Sequence, residues 1–86
     1  MKRIALIAIV VENMESVQKL NLILHDYAEY ILGRMGLPCK ERGISLISVA
    51  IDAPQEIISA LSGKNGKLSG VSAKAVYSKL SDGEVR

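Results

Sequence analysis

Two apolar runs constrain the fold of this chain more than any other feature. One occupies residues 3–11 (RIALIAIVV) and the other residues 44–51 (ISLISVAI). Each run has the length of a single strand and is too short to cross a bilayer. Both are apolar at even and at odd positions, which is typical of strands that are covered on both faces. The sequence therefore predicts a sheet with these two strands at its centre.

The first run follows two basic residues, as the apolar part of a secretory signal does. Glu12, Asn13 and Glu15 follow the run, where a signal would have a cleavage site of small residues. We therefore interpret the run as a buried strand. Cys39 is the chain's one cysteine, so no internal disulfide can form. A reducing compartment suits such a chain, and we expect it to be cytoplasmic.

Two helices are predicted between the strands. The first begins after its N-cap Asn13 and ends with His25 and Asp26. The second begins at its cap Asp52 and ends near Gly66, which suits a left-handed C-terminal cap. The residues predicted to face the core are Val17, Leu20, Ile23 and Leu24 in the first helix and Ile57, Ile58 and Leu61 in the second.

Two further strands complete the order of elements. Residues 27–35 form the second strand, residues 33–43 (GRMGLPCKERG) turn the chain, and residues 71–77 form the last strand. The order βαββαβ predicts an α+β, ferredoxin-like sandwich, in which an antiparallel four-stranded sheet has two helices on one face. Residues 1–80 are expected to form one domain, and residues 81–86 a frayed tail.

The helices of such a sandwich cover one face of its sheet. The first and third strands are central in this plan, and their second apolar face needs another cover. We expect that cover to be another copy of the same sheet, which forms a homo-oligomer, either a dimer or a tetramer. Burial of apolar surface, at about 25 cal/mol per Å², is the driving term.

The turn segment is the strongest candidate for a ligand site. Arg34, Lys40 and Arg42 form a small basic group around it, and arginine can pair a carboxylate or a phosphate at two points. Gly36 and Asn13 complete the candidate ligand contacts. In the alternative interpretation these basic side chains bind no ligand and form a solvated rim. The glycines match no phosphate-binding fingerprint and indicate a tight turn or close packing.

His25 and Cys39 are weak candidates for metal ligands. They provide at most two ligands per chain, so a complete site would need two subunits. In the plainer alternative His25 complements the dipole of a helix end, and Cys39 is a tolerated small residue without an activating base nearby. We expect no catalytic residues, no cofactor and no metal site within one chain.

Composition and motifs also argue against other classes of function. The formal charge of +2 is small for a nucleic-acid surface, and the central strands have no aromatic residue on which a base could stack. Acylphosphatases share the βαββαβ plan but need an arginine and a glycine-rich loop after the first strand, where this chain has VENMES. We therefore expect a non-enzymatic domain without direct contact to nucleic acid or membrane.

Three segments carry a resemblance to a known family: residues 3–13 (RIALIAIVVEN), 31–53 (ILGRMGLPCKERGISLISVAIDA) and 61–74 (LSGKNGKLSGVSAK). Over residues 3–79 the chain resembles a small family proposed to regulate iron-only hydrogenase systems. The fold of that family is similar to ACT domains and to the C-terminal domain of the nickel-responsive repressor. The resemblance implies an ACT-like regulatory module that is oligomeric and senses a ligand.

Three properties of the similar domains have no support in the motifs of this sequence. The repressor's metal site needs several histidines and a cysteine, and this chain has one of each. The chain also shows no ribbon-helix-helix segment for DNA. ACT domains that bind amino acids usually have a glycine-bearing turn after the first strand, and residues 12–15 contain no glycine. Amino-acid binding is therefore suggested by fold and unsupported by motif.

Three hypotheses of function remain. In the first, the chain is a regulatory domain that binds a small anionic metabolite near Arg34, Lys40 and Arg42. In the second, it is a structural adaptor that binds a protein partner through the edge of its sheet. In the third, it is a sensor with a metal site that His25 and Cys39 form between subunits.

Overall fold

The computed structural model describes residues 1–81, with the side chains of residues 1–79. Its order of elements is βαββαβ, which confirms the predicted α+β, ferredoxin-like fold. The elements are β1 (Lys2–Val11), α1 (Val17–Asp26), β2 (Ile31–Cys39), β3 (Ile44–Pro54), α2 (Gln55–Gly66) and β4 (Val71–Ser81). The predicted frayed tail begins at Ser81, the last residue of β4, and the rest of that tail lies outside the described residues.

The sheet has the order β2-β3-β1-β4, and all three neighbouring pairs are antiparallel. The two apolar runs, β1 and β3, are therefore central, as predicted. They pair along their whole length, with Ile7 opposite Val49. Paired residues share a face of the sheet, so the register also decides which side chains meet the helices.

The core lies between the sheet and the two helices. Ile7, Val49 and Ile51 are fully buried, and the helix residues Leu20 and Ile58 close over them. The other large helix side chains buried here are Leu24 and Leu61, which belong to the predicted stripes. Each such side chain contributes about 1.5–3 kcal/mol when it leaves water.

The helix ends differ from the predicted ones in three places. Asn13 is an N-cap as predicted, but it caps a 3-10 turn over Met14–Ser16, and the α-helical part starts at Val17. Asp52 does not cap α2, because β3 continues to pair with β1 up to Pro54. Gly66 is the last residue of α2 and has no positive φ.

The second strand is shifted from its predicted position. Ala28–Tyr30 form a 3-10 turn, and the strand runs from Ile31 to Cys39. Most of the predicted turn segment is thus extended backbone that pairs with β3, and the turn itself is confined to Lys40–Arg42 and Gly43. Pairing with β3 overrides the weak strand propensity of glycine and proline, which an edge strand tolerates.

Candidate functional site

The sheet face opposite the helices is largely apolar, and none of the described residues covers it. The register places Leu6 opposite both Ala50 and Val76, and Leu37 opposite Leu46. We call this surface the open face. Its large apolar side chains are between 40% and 72% exposed: Ile4, Leu6, Met35, Leu37, Leu46 and Val76.

A shallow hollow lies on the open face, across β1, β2 and β3. Its volume is about 250 Å³. The side chains that border it on this face are Ala8, Val10, Met35, Leu37, Leu46 and Ser48. Serine is the one polar residue among them, so the hollow suits an apolar side chain from a partner and offers no fixed charge to a polar ligand.

A second concave surface lies between α1 and β2, on the helix side of the sheet. We call it the α1–β2 groove, and its volume is about 300 Å³. It is lined by Asn21, Leu24, His25, Ala28, Ile31 and Arg34. Arg34 donates a hydrogen bond from Nη2 to the Asn21 Oδ1 at 2.9 Å. The groove therefore combines an apolar floor with an oriented guanidinium at its edge.

The three basic residues of the predicted ligand site lie apart from one another. Arg34 is in the middle of β2, whereas Lys40 and Arg42 belong to the 3-10 turn beyond its end. The stretch of β2 from Arg34 to Cys39 alone spans about 16 Å at about 3.3 Å per residue. Gly36 lies on this stretch. One chain thus does not gather these residues around a single small anion.

Asn13, the remaining predicted ligand contact, has both ends of its side-chain amide engaged. Its Oδ1 accepts a hydrogen bond from the Glu15 N–H at 3.1 Å, and its Nδ2 donates to the Ser69 Oγ at 3.2 Å. Ser16 adds a hydrogen bond from its Oγ to the Ser69 carbonyl at 2.6 Å. These contacts hold the loop after β1 against the loop before β4.

The two candidate metal ligands lie at opposite ends of β2. His25 lines the α1–β2 groove together with Ile31, where β2 begins. Cys39 ends β2 and lines a separate hollow of about 210 Å³ with Lys40. The strand between these ends spans about 26 Å. Among residues 1–79 no cluster of three or more His, Cys, Asp or Glu side chains could hold a metal ion.

Sequence reasoning missed two features that depend on distant residues. Asn21 orients Arg34, but neither its residue type nor its position in α1 predicts a contact with a residue on β2. Lys64 places its Nζ 5.0 Å from the ring centroid of Tyr27. Hydrogen bonding to Tyr27, followed by the charge of its phenolate, raises the pKa of Lys64 above the usual 10.5.

The part of the chain that the structure describes contains no helix long and apolar enough to cross a membrane.

Comparison with known proteins places the chain in a family. A family model named TM1266-like matches residues 3–75, from the first residues of β1 into β4. The chain belongs to the TM1266-like family. The family is described as "Iron-only hydrogenase system regulator, putative". This match confirms the resemblance given by the sequence segments.

A solved structure supports the same assignment. The uncharacterized protein TM1266 from Thermotoga maritima is 36% identical to this TM1266-like chain and superposes with a TM-score of 0.88. The match covers 92% of this chain and 100% of that one. The curated proteins include no significant match.

Proposed function

We propose that this chain is a non-enzymatic, cytoplasmic regulator of an iron-only hydrogenase system, which dimerises through its open face and senses a small anionic metabolite. The observation that carries the proposal is the open face itself. Six large apolar side chains remain exposed there, although the apolar side chains on the opposite face of the central strands β1 and β3 are buried. Exposed apolar patches of this kind mark interaction surfaces.

The area of the open face is adequate for a stable dimer. β1 has 10 residues and lies in a sheet of four strands. At about 3.4 Å per residue and about 4.8 Å between strands, the face measures roughly 34 by 19 Å, which is about 600 Å². Standard protein interfaces bury about 800 Å² of accessible surface per partner. Accessible surface follows the uneven outline of the side chains and so exceeds the flat area of the same face. A second copy of the face therefore supplies a cover of the right size and chemistry.

A pair of matched leucines tests the dimer. Leu37 on the open face and Leu22 on α1 are both 64% exposed. We expect the purified chain to have twice the chain mass of 9.3 kDa in light scattering at micromolar concentration. Leu37→Glu places a charge in the interface and should give the monomer mass, whereas Leu22→Glu should leave the dimer intact. A monomeric parent chain, or the same mass for both variants, would contradict the proposal.

The adaptor hypothesis also has a specific observation in its favour. β2 is an edge strand, and each residue from 32 to 38 in it is exposed. Its free edge offers backbone N–H and C=O groups to which an extended segment of a partner could add a strand. A monomeric chain that no small molecule stabilises against heat would favour the adaptor over the regulator that senses a ligand.

The metal-sensor hypothesis requires His25 of one subunit and Cys39 of another, because they lie at opposite ends of β2. A thermal-shift measurement with zinc and nickel, with and without a chelator, distinguishes it. Under the metal-sensor hypothesis the stabilisation by metal is lost in both His25→Ala and Cys39→Ala. Under the proposed function Cys39→Ala leaves the response to small anions unchanged, because Cys39 lies outside the α1–β2 groove.

A further inference from the structure

We propose that the α1–β2 groove binds the carboxylate of a small molecule with a short, branched apolar body, and that Arg34 anchors the carboxylate. The inference rests on the proposed function, for which it names the place and the chemical class of the ligand. It moves the ligand site away from the turn at Lys40 and Arg42. The groove is the concave surface at which a cation, polar side chains and an apolar floor meet.

The guanidinium of Arg34 is oriented without being neutralised by any residue that the structure describes. Among those residues, its one hydrogen bond to a side chain goes from Nη2 to the amide oxygen of Asn21, at 2.9 Å. An amide accepts a hydrogen bond and carries no charge, so the positive charge of Arg34 stays available. Guanidinium has five N–H donors in a planar fork, and the other donors can pair a carboxylate at two points.

The rest of the lining favours an anion with an apolar body. None of the six groove residues is acidic, and His25 adds a further donor one helical turn from Asn21. The floor that meets solvent consists of Ala28, which is exposed, and Ile31, which is half-buried, since Leu24 is only 2% exposed. A bare phosphate would leave this floor in water, whereas a branched aliphatic carboxylate covers it. The volume of about 300 Å³ suits a ligand of that size.

Ligand binding and dimerisation use opposite faces of the sheet. Arg34 pairs with Val49, whose side chain is fully buried under the helices, and so shares the helix side with it. Its neighbour Met35 pairs with Ser48 on the open face. A dimer formed through the open face therefore leaves the groove accessible, and each proposal can fail without the other.

The test is a titration of the full chain with isovalerate, followed by amide proton and nitrogen shifts in NMR. We expect saturable binding with a dissociation constant on the order of 1 mM, with the largest shifts in α1 and β2. Isovaleramide has the same shape without the charge and should not bind. Arg34→Gln should weaken binding at least about tenfold, because a hydrogen bond to a charged group is lost. Arg42→Gln, the matched change beyond the end of β2, should bind like the parent chain.

Several outcomes would overturn the groove site. They are equal binding of the amide and the acid, equal weakening by Arg34→Gln and Arg42→Gln, or no saturation up to about 10 mM. Tighter binding of inorganic phosphate than of isovalerate would contradict the inference that the ligand has an apolar body. Light scattering of Arg34→Gln separates the two proposals: a dimer that no longer binds isovalerate supports both. A chain that binds isovalerate as a monomer refutes the dimer alone.

Discussion

Gly70 packs so closely against Asn13 that a Cβ atom on Gly70 would lie 2.6 Å from the Cβ of Asn13 and 2.8 Å from its backbone nitrogen. Gly70 also has a φ of 68°, a left-handed conformation that side chains disfavour. Its carbonyl accepts a hydrogen bond from the Glu12 N–H at 2.6 Å. The loop after β1 and the loop before β4 are therefore joined at a point where only glycine fits.

Gly70→Ala should lower the free energy of unfolding by about 3 kcal/mol, because it adds a clash with backbone to the strain of the left-handed conformation. Gly43→Ala is the matched control, since Gly43 has the same φ of 68° and no atom within 4 Å of its added Cβ. It should cost about 1 kcal/mol. Urea unfolding of both variants measures the difference. Equal losses would show that the contact with Asn13 adds nothing to the strain.

Gly63→Ala should raise the free energy of unfolding by about 1 kcal/mol, because glycine is a poor helix former. Gly63 is exposed within α2, and an added Cβ would meet nothing within 4 Å. The same urea denaturation experiment measures the gain. A loss of stability in Gly63→Ala would contradict the account of Gly63 as an exposed, uncrowded position of the helix.

Asn65→Leu should raise the free energy of unfolding by about 1 kcal/mol, because it removes an unsatisfied polar group from the core. Asn65 is fully buried in α2, and neither Oδ1 nor Nδ2 has a hydrogen-bond partner among the described residues. Leu61, also fully buried in α2, provides the control. Leu61→Ala should cost about 2–5 kcal/mol, and Asn65→Ala clearly less. An Asn65→Leu variant less stable than the parent chain would contradict this account.

Tyr27→Phe should lower the raised pKa of Lys64, since hydrogen bonding to the Tyr27 side chain is the largest cause of the shift. The pKa of Lys64 is higher in the folded chain than in the unfolded chain. The contact with Tyr27 therefore stabilises the fold fully at pH values below the unfolded pKa, and this stabilisation is lost as the pH rises through the folded pKa. NMR titration of the Lys64 side chain above about pH 9 measures the change. Tyr30→Phe is the control and should leave that titration unaltered. High salt should shrink the shift, because Lys64 is exposed.

The fold was largely predictable because its strongest signals are local. The apolar runs predict β1 and β3 as central strands. Helical spacing of apolar residues predicts the burial of Leu20 and Leu24 in α1 and of Leu61 in α2. β2 was predicted four residues too early. Its glycines and proline are typical of a turn, and only the hydrogen bonds to β3 make this segment a strand. The error at Asp52 has the same origin, since continued pairing with β1 delays the start of α2.

The candidate site was predictable in its parts and not in its arrangement. Arg34 could be selected from the sequence as an anion-binding residue, but its grouping with Lys40 and Arg42 followed from a predicted turn over residues 33–43, and the structure confines that turn to residues 40–43. Asn21, which orients Arg34, gave no sequence signal that it would meet a residue on β2.

The sequence by itself determined the order of elements, the central strands and the apolar faces of the helices. These features follow from the spacing of apolar residues along short segments, which decides which side chains of a helix or strand are buried. Only the tertiary structure decided the extent of β2, the contact of Gly70 with Asn13 and the position of Arg34 beside Asn21. These depend on the register of the sheet and on how α1 lies against it. Register is a property of paired strands, and no single segment encodes it alone.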